Sequence, residues 1–156
     1  MSKTTPATLA LDRAGVAYTL ATYDYDPNAE RVGLQAADAL GAPPGEVLKT
    51  LMVLADGKPA CVVLASDREV SMKKLAAALG AKSCEMMPVA DAERLTGYRV
   101  GGISPFGQKR RVPTVIDADA AALDDAFVNA GQRGLQARLA PADLVRVLGA
   151  VVAALT

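Results

Sequence analysis

The sequence has no histidine among its 156 residues, and this absence excludes several common kinds of active site. Histidine is the usual general base of serine and cysteine hydrolases, and it is a frequent ligand of catalytic zinc. A Ser-His-Asp triad, a Cys-His pair and a histidine-bound zinc centre are therefore excluded. Any catalysis by this chain has to rely on other side chains or on backbone amides.

Cysteine is also scarce, with only Cys61 and Cys84 in the chain. A thiolate zinc site needs cysteines at metal-ligand spacing, which these two residues do not have. We expect two small, buried thiols in a reducing compartment, although two cysteines would also allow one disulfide. The sequence therefore predicts no metal site and no cofactor.

An excess of charge and a long hydrophobic run are both missing. Lysine and arginine number 17, aspartate and glutamate also number 17, and the formal net charge is zero. This excludes nucleic-acid binding by overall charge, so any such contact needs a local basic patch. The longest apolar stretch, 147–155, is far shorter than the roughly 20 residues that cross a bilayer, and residues 1–6 contain no signal-peptide core. We expect a soluble, cytoplasmic protein that makes no membrane contact.

What is present is the composition of one globular domain over residues 1–156. Hydrophobic residues make up 51% of the chain and charged residues 22%, which is enough apolar surface for a core. Capping residues and glycines predict the helix ends, and runs of alternating or β-branched residues predict the strands. The predicted helices are 6–14, 32–40, 72–79, 88–95 and 141–155. The predicted strands are 16–23, 47–55, 60–65, 112–116, 127–128 and 135–139.

The order of these elements predicts the fold class. Asp56 and Gly57 separate two apolar strands, which is typical of an antiparallel hairpin. Pro113 places its strand at a sheet edge, or else lies among the first residues of that strand. With helices interspersed among the strands, we expect an α/β (α+β) fold. Its sheet would be mixed and largely antiparallel, curled or shaped as a partial barrel, and surrounded by helices.

Lys49 is the first candidate functional residue, because it is the only charged side chain between Val47 and Ala55. By the two-residue period of a strand it shares a face with Leu51 and Val53. A lysine among apolar neighbours costs free energy unless it is partnered or lies at the edge of a pocket. In a pocket it could hold a carbonyl oxygen or a phosphate, or act as a base. Alternatively, its stem lies along the core while its ammonium reaches water.

The glycine-rich segment 100–108 is the second candidate. Gly101 and Gly102 carry no side chains that would obstruct their amide N–H groups, which suits a cradle for an oxyanion. Ser104 adds a hydroxyl, but without histidine it has no base to make it a nucleophile. The alternative explanation is a tight surface loop that needs glycine for positive φ.

Two other segments could bind a ligand. The segment 109–111 is the densest basic cluster of the chain, and it could clamp phosphates or form a solvated strand edge. The segment 23–26 holds two tyrosines and two aspartates. It could stack on a base, hold a divalent cation or simply form a polar turn.

Three motifs together resemble a known family. They are Lys49-Thr50-Leu51 at the start of a hydrophobic strand, the segment 97–114 (GYRVGGISPFGQKRRVPT), and Arg133-Gly134-Leu135. On these motifs the sequence resembles the YbaK family of free-standing aminoacyl-tRNA deacylases. That family is related to the editing domain inserted in bacterial prolyl-tRNA synthetases. The resemblance covers nearly the whole chain, and the glycine-rich motif with its basic tail is the most specific part.

The resemblance implies an enzyme that removes cysteine mischarged onto tRNA(Pro), without a metal or a protein nucleophile. The cysteine thiol would attack its own ester carbonyl, while the enzyme positions the ester and stabilises the oxyanion. The implied partners are the acceptor end of the mischarged tRNA and prolyl-tRNA synthetase. The residues implied for catalysis are Lys49, Gly101 and Gly102. Those implied for substrate binding are Tyr23, Thr50, Ser104, Pro105, Asn129, Gly131 and Gln136, and those implied for tRNA contact are Lys109, Arg110 and Arg111.

The sequence departs from the family pattern at three places. Members of the family often carry His where Tyr25 stands, Ser-Gly-Gly at 129–131 and Asp where Gln136 stands. The last two changes fall near the expected pocket wall and bear on amino-acid specificity. Two alternatives therefore stay open: a subtype that acts on alanyl-tRNA(Pro), and a non-catalytic module of the same fold that binds tRNA or a synthetase.

Overall fold

The computed structural model of the chain describes residues 3–28 and 32–156, which form six α-helices and eight strands. The helices are α1 (Pro6–Arg13), α2 (Val32–Leu40), α3 (Met72–Leu79), α4 (Val89–Thr96), α5 (Ala118–Ala121) and α6 (Pro141–Leu148). The strands are β1 (Thr19–Thr22), β2 (Leu48–Ala55), β3 (Lys58–Ala65), β4 (Cys84–Met86), β5 (Thr114–Asp117), β6 (Ala126–Gln132), β7 (Leu135–Leu139) and β8 (Val151–Ala153).

The strands form a five-stranded sheet of order β4-β2-β3-β5-β8 and a three-stranded sheet of order β1-β7-β6. The hairpin of β2 and β3 was predicted, and its turn residues Asp56 and Gly57 both take positive φ, at 48° and 79°. Pairing is antiparallel except where β5 lies beside β3 and β8 beside β5. The predicted mixed, largely antiparallel α/β fold is confirmed. In the described residues neither sheet closes into a barrel.

The five-stranded sheet is buried on both faces because alternate residues of β2 enter different parts of the core. Leu48 and Met52 pack into the larger hydrophobic cluster with Leu11 of α1. Val53 packs with Leu75 of α3 in a second cluster. Burying each such side chain contributes roughly 1.5–3 kcal/mol, so both clusters fix the position of β2. The predicted division of β2 into two apolar faces is confirmed.

The C-terminal segment differs from the single helix predicted over 141–155. Helix α6 ends at Leu148 because Gly149 takes a left-handed conformation, with φ of 61°. The β-branched Val151 and Val152 then pair with β5 as strand β8. The Leu155 amide donates to a carboxylate oxygen of buried Asp117 at 2.9 Å, which fixes the segment after the strand. The predicted helix is therefore wrong beyond residue 148.

Three other elements differ from the expectations. Strand β5 lies between two strands, which excludes the edge position, one of the two alternatives that Pro113 left open. Pro113 precedes β5, and its carbonyl accepts a hydrogen bond from the Cys61 amide at 2.8 Å. Strand β4 and helix α5 were not predicted, because segments of three and four residues are too short to show a period.

The two cysteines are free thiols. Cys61 is fully buried in β3, and burial raises the pKa of its thiol to about 12. It therefore stays protonated near neutral pH and acts as a small apolar residue, as predicted. Cys84 on β4 is partly exposed, so the expectation that both thiols are buried is wrong for this residue.

Neither a membrane span nor a metal-binding cluster is found in the described part of the chain. No helix there is long and apolar enough to cross a bilayer. Over residues 3–28 and 32–156, no three or more histidine, cysteine, aspartate or glutamate side chains are arranged to hold a metal ion.

Candidate active site

A cavity of about 400 Å³ lies between β2, the glycine-rich loop and the three-stranded sheet. Strand β4 pairs only with residues 53–55 of β2, so no described strand covers that edge at residues 48–51. Side chains from both faces of β2 therefore reach the cavity. The lining residues are Tyr23, Ala36, Val47, Leu48, Lys49, Thr50, Leu51, Met52, Ser66, Glu69, Met86, Met87, Val89, Ala92, Val100, Gly101, Ile103, Asn129 and Gln136.

Three buried polar atoms on the cavity wall complete no hydrogen bond within the described residues. They are the Tyr23 hydroxyl, the Thr50 hydroxyl and Gln136 Oε1. Leaving such a group unpaired costs roughly 1–3 kcal/mol. Because all three line one cavity, their arrangement indicates a site built to receive a polar ligand.

Tyr23 is a hydrogen-bond donor in this site at neutral pH. Burial raises the pKa of its phenol above the ordinary value, while the nearby Gln136 side chain and the Gly134 backbone act to lower it. The Gln136 side chain is therefore a near neighbour of the phenol, while the Tyr23 hydroxyl and Gln136 Oε1 each remain without a completed hydrogen bond. The protonated phenol can donate to a ligand oxygen, and Gln136 Oε1 can accept from a ligand N–H or O–H.

Lys49 and Glu69 are the charged side chains that line the cavity. Lys49 lies opposite Leu64 in the β2–β3 ladder, which fixes its backbone, and its side chain is partly buried. An ammonium group on the wall of a cavity can bind a carbonyl oxygen or a phosphate. The structure therefore places Lys49 on a pocket wall, which is one of the two positions that its sequence context allowed.

Gly101 is the residue through which the glycine-rich loop forms part of the wall. Its φ is 91°, and a Cβ atom here would lie 2.8 Å from Cζ of the Tyr25 ring, so a side chain does not fit. Asn129 Nδ2 donates to the Gly101 carbonyl at 3.2 Å. The amide of Gly102 is already engaged, because it donates to the Arg99 carbonyl at 2.8 Å. Of the two amides expected to form an oxyanion cradle, only that of Gly101 belongs to a wall residue.

Other residues implied by the resemblance lie behind the wall and shape it. Ser104 and Pro105 are buried inside the loop, where the Ser104 hydroxyl accepts from the Phe106 amide at 3.1 Å. A Cβ atom at Gly131 would lie 2.7 Å from the Tyr98 ring, so glycine allows β6 to approach the loop closely. The predicted site residues outside the wall are Gly102, Ser104, Pro105 and Gly131.

The basic segment 109–111 follows the loop and is exposed away from the cavity wall. The backbone amide of Lys109 donates to Thr96 at 2.8 Å, and that of Arg110 donates to Leu95 at 3.2 Å. These two bonds join the beginning and the end of the loop 97–108 at its base. The side chains of Lys109 and Arg110 point to solvent, where phosphates could reach them.

The sequence analysis did not single out the apolar rim of the cavity. Met86, Val89 and Val100 are 50%, 58% and 37% exposed and all line it. Exposed apolar side chains around a cavity are typical of a ligand site. Arg133 was named only as part of the family motif Arg133-Gly134-Leu135 and was given no role in the site; its guanidinium lies 5.0 Å from the centroid of the Tyr25 ring. No local pattern marks Met86 and Val89, and the contacts of Val100 and Arg133 in the site arise only in the tertiary structure.

A protein-family model described as an aminoacyl-tRNA editing domain matches residues 26–147. The chain belongs to this family. A relative of this editing-domain chain in Enterococcus faecalis is 36% identical over 121 residues, which are 77% of this chain and 74% of the relative. The relative bears the name of a Cys-tRNA(Pro)/Cys-tRNA(Cys) deacylase, EbsC. The proline–tRNA ligase of Acidithiobacillus ferrooxidans is 32% identical over 87 residues, which are 56% of this chain but 15% of the ligase.

Solved structures agree with the family assignment at the level of the fold. A protein described as a trans-editing enzyme for prolyl-tRNA synthetase superposes with a TM-score of 0.82 at 22% identity, covering 99% of both chains. The hypothetical protein APE2540 superposes with a TM-score of 0.84 at 24% identity, covering 97% of this chain and 99% of the other. The family resemblance inferred from the three sequence motifs is confirmed.

Proposed function

We propose that this editing-domain chain is a trans-editing deacylase that removes cysteine mischarged onto tRNA(Pro). The observation that carries the proposal is that three buried polar atoms without completed hydrogen bonds share the wall of a largely apolar cavity with Lys49. An aminoacyl ester offers a carbonyl, an α-amino group and a ribose hydroxyl to such a site. The name of the Enterococcus faecalis relative and the description of the structural neighbour support the same substrate.

In the proposed reaction the substrate supplies its own nucleophile. The cysteine sulfur bonds to the ester carbonyl carbon, the bond from that carbon to the ribose oxygen breaks, and the thiol proton passes to the ribose oxygen. The products are tRNA with a free terminal hydroxyl and a cyclic thioester, which water opens to cysteine. Because the ester is already activated, orientation and a few hydrogen-bond donors suffice.

The residues take separate roles in this proposal. Lys49 holds the carbonyl oxygen or the terminal adenosine, and the Gly101 amide donates to the developing oxyanion. Gly102 supports Gly101 from behind. Tyr23, Thr50 and Gln136 bind polar groups of the aminoacyl-adenosine. The loop is shaped for this task by Ser104, Pro105, Asn129 and Gly131.

Residues outside the cavity would contact the rest of the tRNA. Lys109, Arg110 and Arg111 are exposed and would approach phosphates of the acceptor stem. Because the net charge of the chain is zero, its own affinity for tRNA is expected to be weak, and prolyl-tRNA synthetase would help to select the tRNA. We further propose that residues 1–156 work as one editing domain in the cytoplasm.

The test is deacylation of cysteinyl-tRNA(Pro) and alanyl-tRNA(Pro) by the wild type and by Lys49→Ala. We expect rapid loss of cysteine alone, and a decrease of about 100-fold in Lys49→Ala, the usual cost of one transition-state donor. Lys58→Ala is the matched control, because Lys58 is an exposed lysine at the far end of the same hairpin. Its activity should equal that of the wild type.

Other outcomes would replace the proposal. Loss of alanine in place of cysteine would make the chain an alanyl-tRNA(Pro) deacylase and exclude thiol-assisted cleavage. Binding of both tRNAs without release of either amino acid would make it a non-catalytic module. Full activity in Lys49→Ala would remove Lys49 from the mechanism.

A further inference from the structure

Arg133 forms a hydrogen bond with the peptide group that joins Val100 to Gly101. Its Nε donates to the Val100 carbonyl at 2.9 Å. Val100 and Gly101 both line the cavity, whereas Arg133 does not. In a trans peptide the carbonyl and the following N–H point in opposite directions. The Gly101 N–H therefore points away from Arg133.

Tyr25 is the platform on which this contact is built. The Arg133 guanidinium lies over its ring, 5.0 Å from the centroid. The same ring packs so closely against Gly101 that a Cβ atom there would displace it. The Tyr23 amide donates to the Gly134 carbonyl at 2.9 Å, which ties the segment carrying Tyr25 to the turn carrying Arg133. The segments that carry Tyr25, Gly101 and Arg133 are distant in sequence, and they meet around this one peptide group.

We propose that Arg133 is a positioning residue that orients and polarises the Gly101 amide, with the Tyr25 ring as its support. A hydrogen bond from a charged donor to a carbonyl draws electron density through the peptide group. The N–H on the other side of that group becomes a stronger donor. This inference rests on the proposed function, because it assigns the Gly101 amide to the oxyanion of the deacylation.

The kinetic test compares Arg133→Lys, Tyr25→Phe and Tyr25→Leu with the wild type on cysteinyl-tRNA(Pro). Lysine keeps the charge but not the planar guanidinium, so we expect kcat to fall about 10-fold or more with KM nearly unchanged. Tyr25→Phe keeps the ring and should retain kcat within about 2-fold. Tyr25→Leu loses the ring and should behave like Arg133→Lys.

Arg138→Lys is the matched control for the loss of a stacked arginine. The Arg138 guanidinium lies 5.5 Å from the centroid of the Phe127 ring, and neither residue lines the cavity. Its kcat should not change. A rise of KM at constant kcat in Arg133→Lys, with a weaker dependence on salt, would show a tRNA contact and overturn the proposal. A lower melting temperature with unchanged kcat would also overturn it, since the role would then be structural only.

A measurement without substrate separates this proposal from the proposed function. The amide proton of Gly101 in the 15N-labelled free chain should resonate downfield in the wild type and in Tyr25→Phe, and should move upfield in Arg133→Lys. An unchanged Gly101 shift in Arg133→Lys would overturn the inference whatever the activity. If the wild type releases no amino acid from any tRNA, the proposed function fails, and the Gly101 shift alone decides whether Arg133 polarises that amide.

Discussion

At the scale of single residues, the cavity wall contains buried polar groups that make the fold less stable. The hydroxyls of Tyr23 and Thr50 and the Oε1 atom of Gln136 are buried without completed hydrogen bonds. Each such group lowers the stability of the fold by roughly 1–3 kcal/mol. Residues retained at that cost are expected to serve a ligand, and their removal should separate stability from activity.

Thr50→Val tests this separation. Valine has the shape of threonine without the hydroxyl, so we expect the free energy of unfolding to rise by about 1 kcal/mol. Deacylation should fall about 10-fold, the value of one ligand hydrogen bond. Denaturant unfolding and single-turnover kinetics would measure the two effects.

Thr96→Val is the control for the stability measurement. The Thr96 hydroxyl is buried but paired: it donates to the Ala92 carbonyl at 2.7 Å and accepts from the Tyr98 amide at 3.1 Å. Its removal should lower the free energy of unfolding by about 1–2 kcal/mol. A similar loss in Thr50→Val would show that the Thr50 hydroxyl has a partner of its own, which would contradict the argument.

Some of these residues could be identified from the sequence and others could not. Lys49 stands out because it is a charge inside an apolar strand, and Gly101 because it lies in a run of glycines. Arg133 belongs to a family motif, but its contacts with Tyr25 and Val100 carry no sequence signal, since those residues lie far away in the chain. Contacts of this kind depend on how three segments meet, and no local period encodes that.

At the scale of elements, the end of α6 shows how one glycine decides between helix and strand. The apolar residues 147, 148, 151, 152 and 155 fit a single helical face, which explains why a helix over 141–155 was predicted. Gly149 interrupts that helix by taking positive φ, and the valines after it gain more from pairing with β5. Elements with strong end signals, such as α1 with its Thr5 cap and the β2–β3 hairpin, were predictable.

Gly149→Ala tests the break between α6 and β8. A Cβ atom at Gly149 meets nothing within 4 Å, so the whole effect comes from the backbone at φ of 61°. We expect the free energy of unfolding to fall by about 1–2 kcal/mol. Gly45→Ala is the control, because Gly45 has equally open surroundings and no positive φ. An equal effect in both variants would contradict the role given to the left-handed conformation.

At the scale of the whole molecule, the even balance of charge leaves tRNA binding to a small surface. Lysine and arginine equal aspartate and glutamate in number, so long-range attraction to nucleic acid is weak. The segment 109–111 directly follows the loop that carries Gly101 and is exposed, so we propose that its charges meet the acceptor stem of a substrate bound in the cavity. A short basic patch beside a reactive site would fix the acceptor end without holding the whole tRNA.

Arg110→Ala tests this surface. We expect weaker tRNA binding and a slope of log affinity against log salt that is smaller by about 1, as for the loss of one phosphate contact. The value of kcat should not change. Lys82→Ala is the control, since Lys82 is an exposed cation before β4 that lies outside the loop and the cavity wall. If the slope of log affinity against log salt is equal for Arg110→Ala and the wild type, Arg110 contacts no phosphate and the tRNA binds another surface.

Two backbone hydrogen bonds close the base of the loop 97–108, and this affects how a substrate can enter the cavity. The bonds from the Lys109 amide to the Thr96 carbonyl and from the Arg110 amide to the Leu95 carbonyl hold the two ends of the loop together, so the ends cannot separate unless these bonds break. The exposed rim of the cavity consists of Met86, Val89 and Val100. Because exposed side chains change rotamer much faster than backbone segments move, a substrate could pass this rim without any movement of the loop.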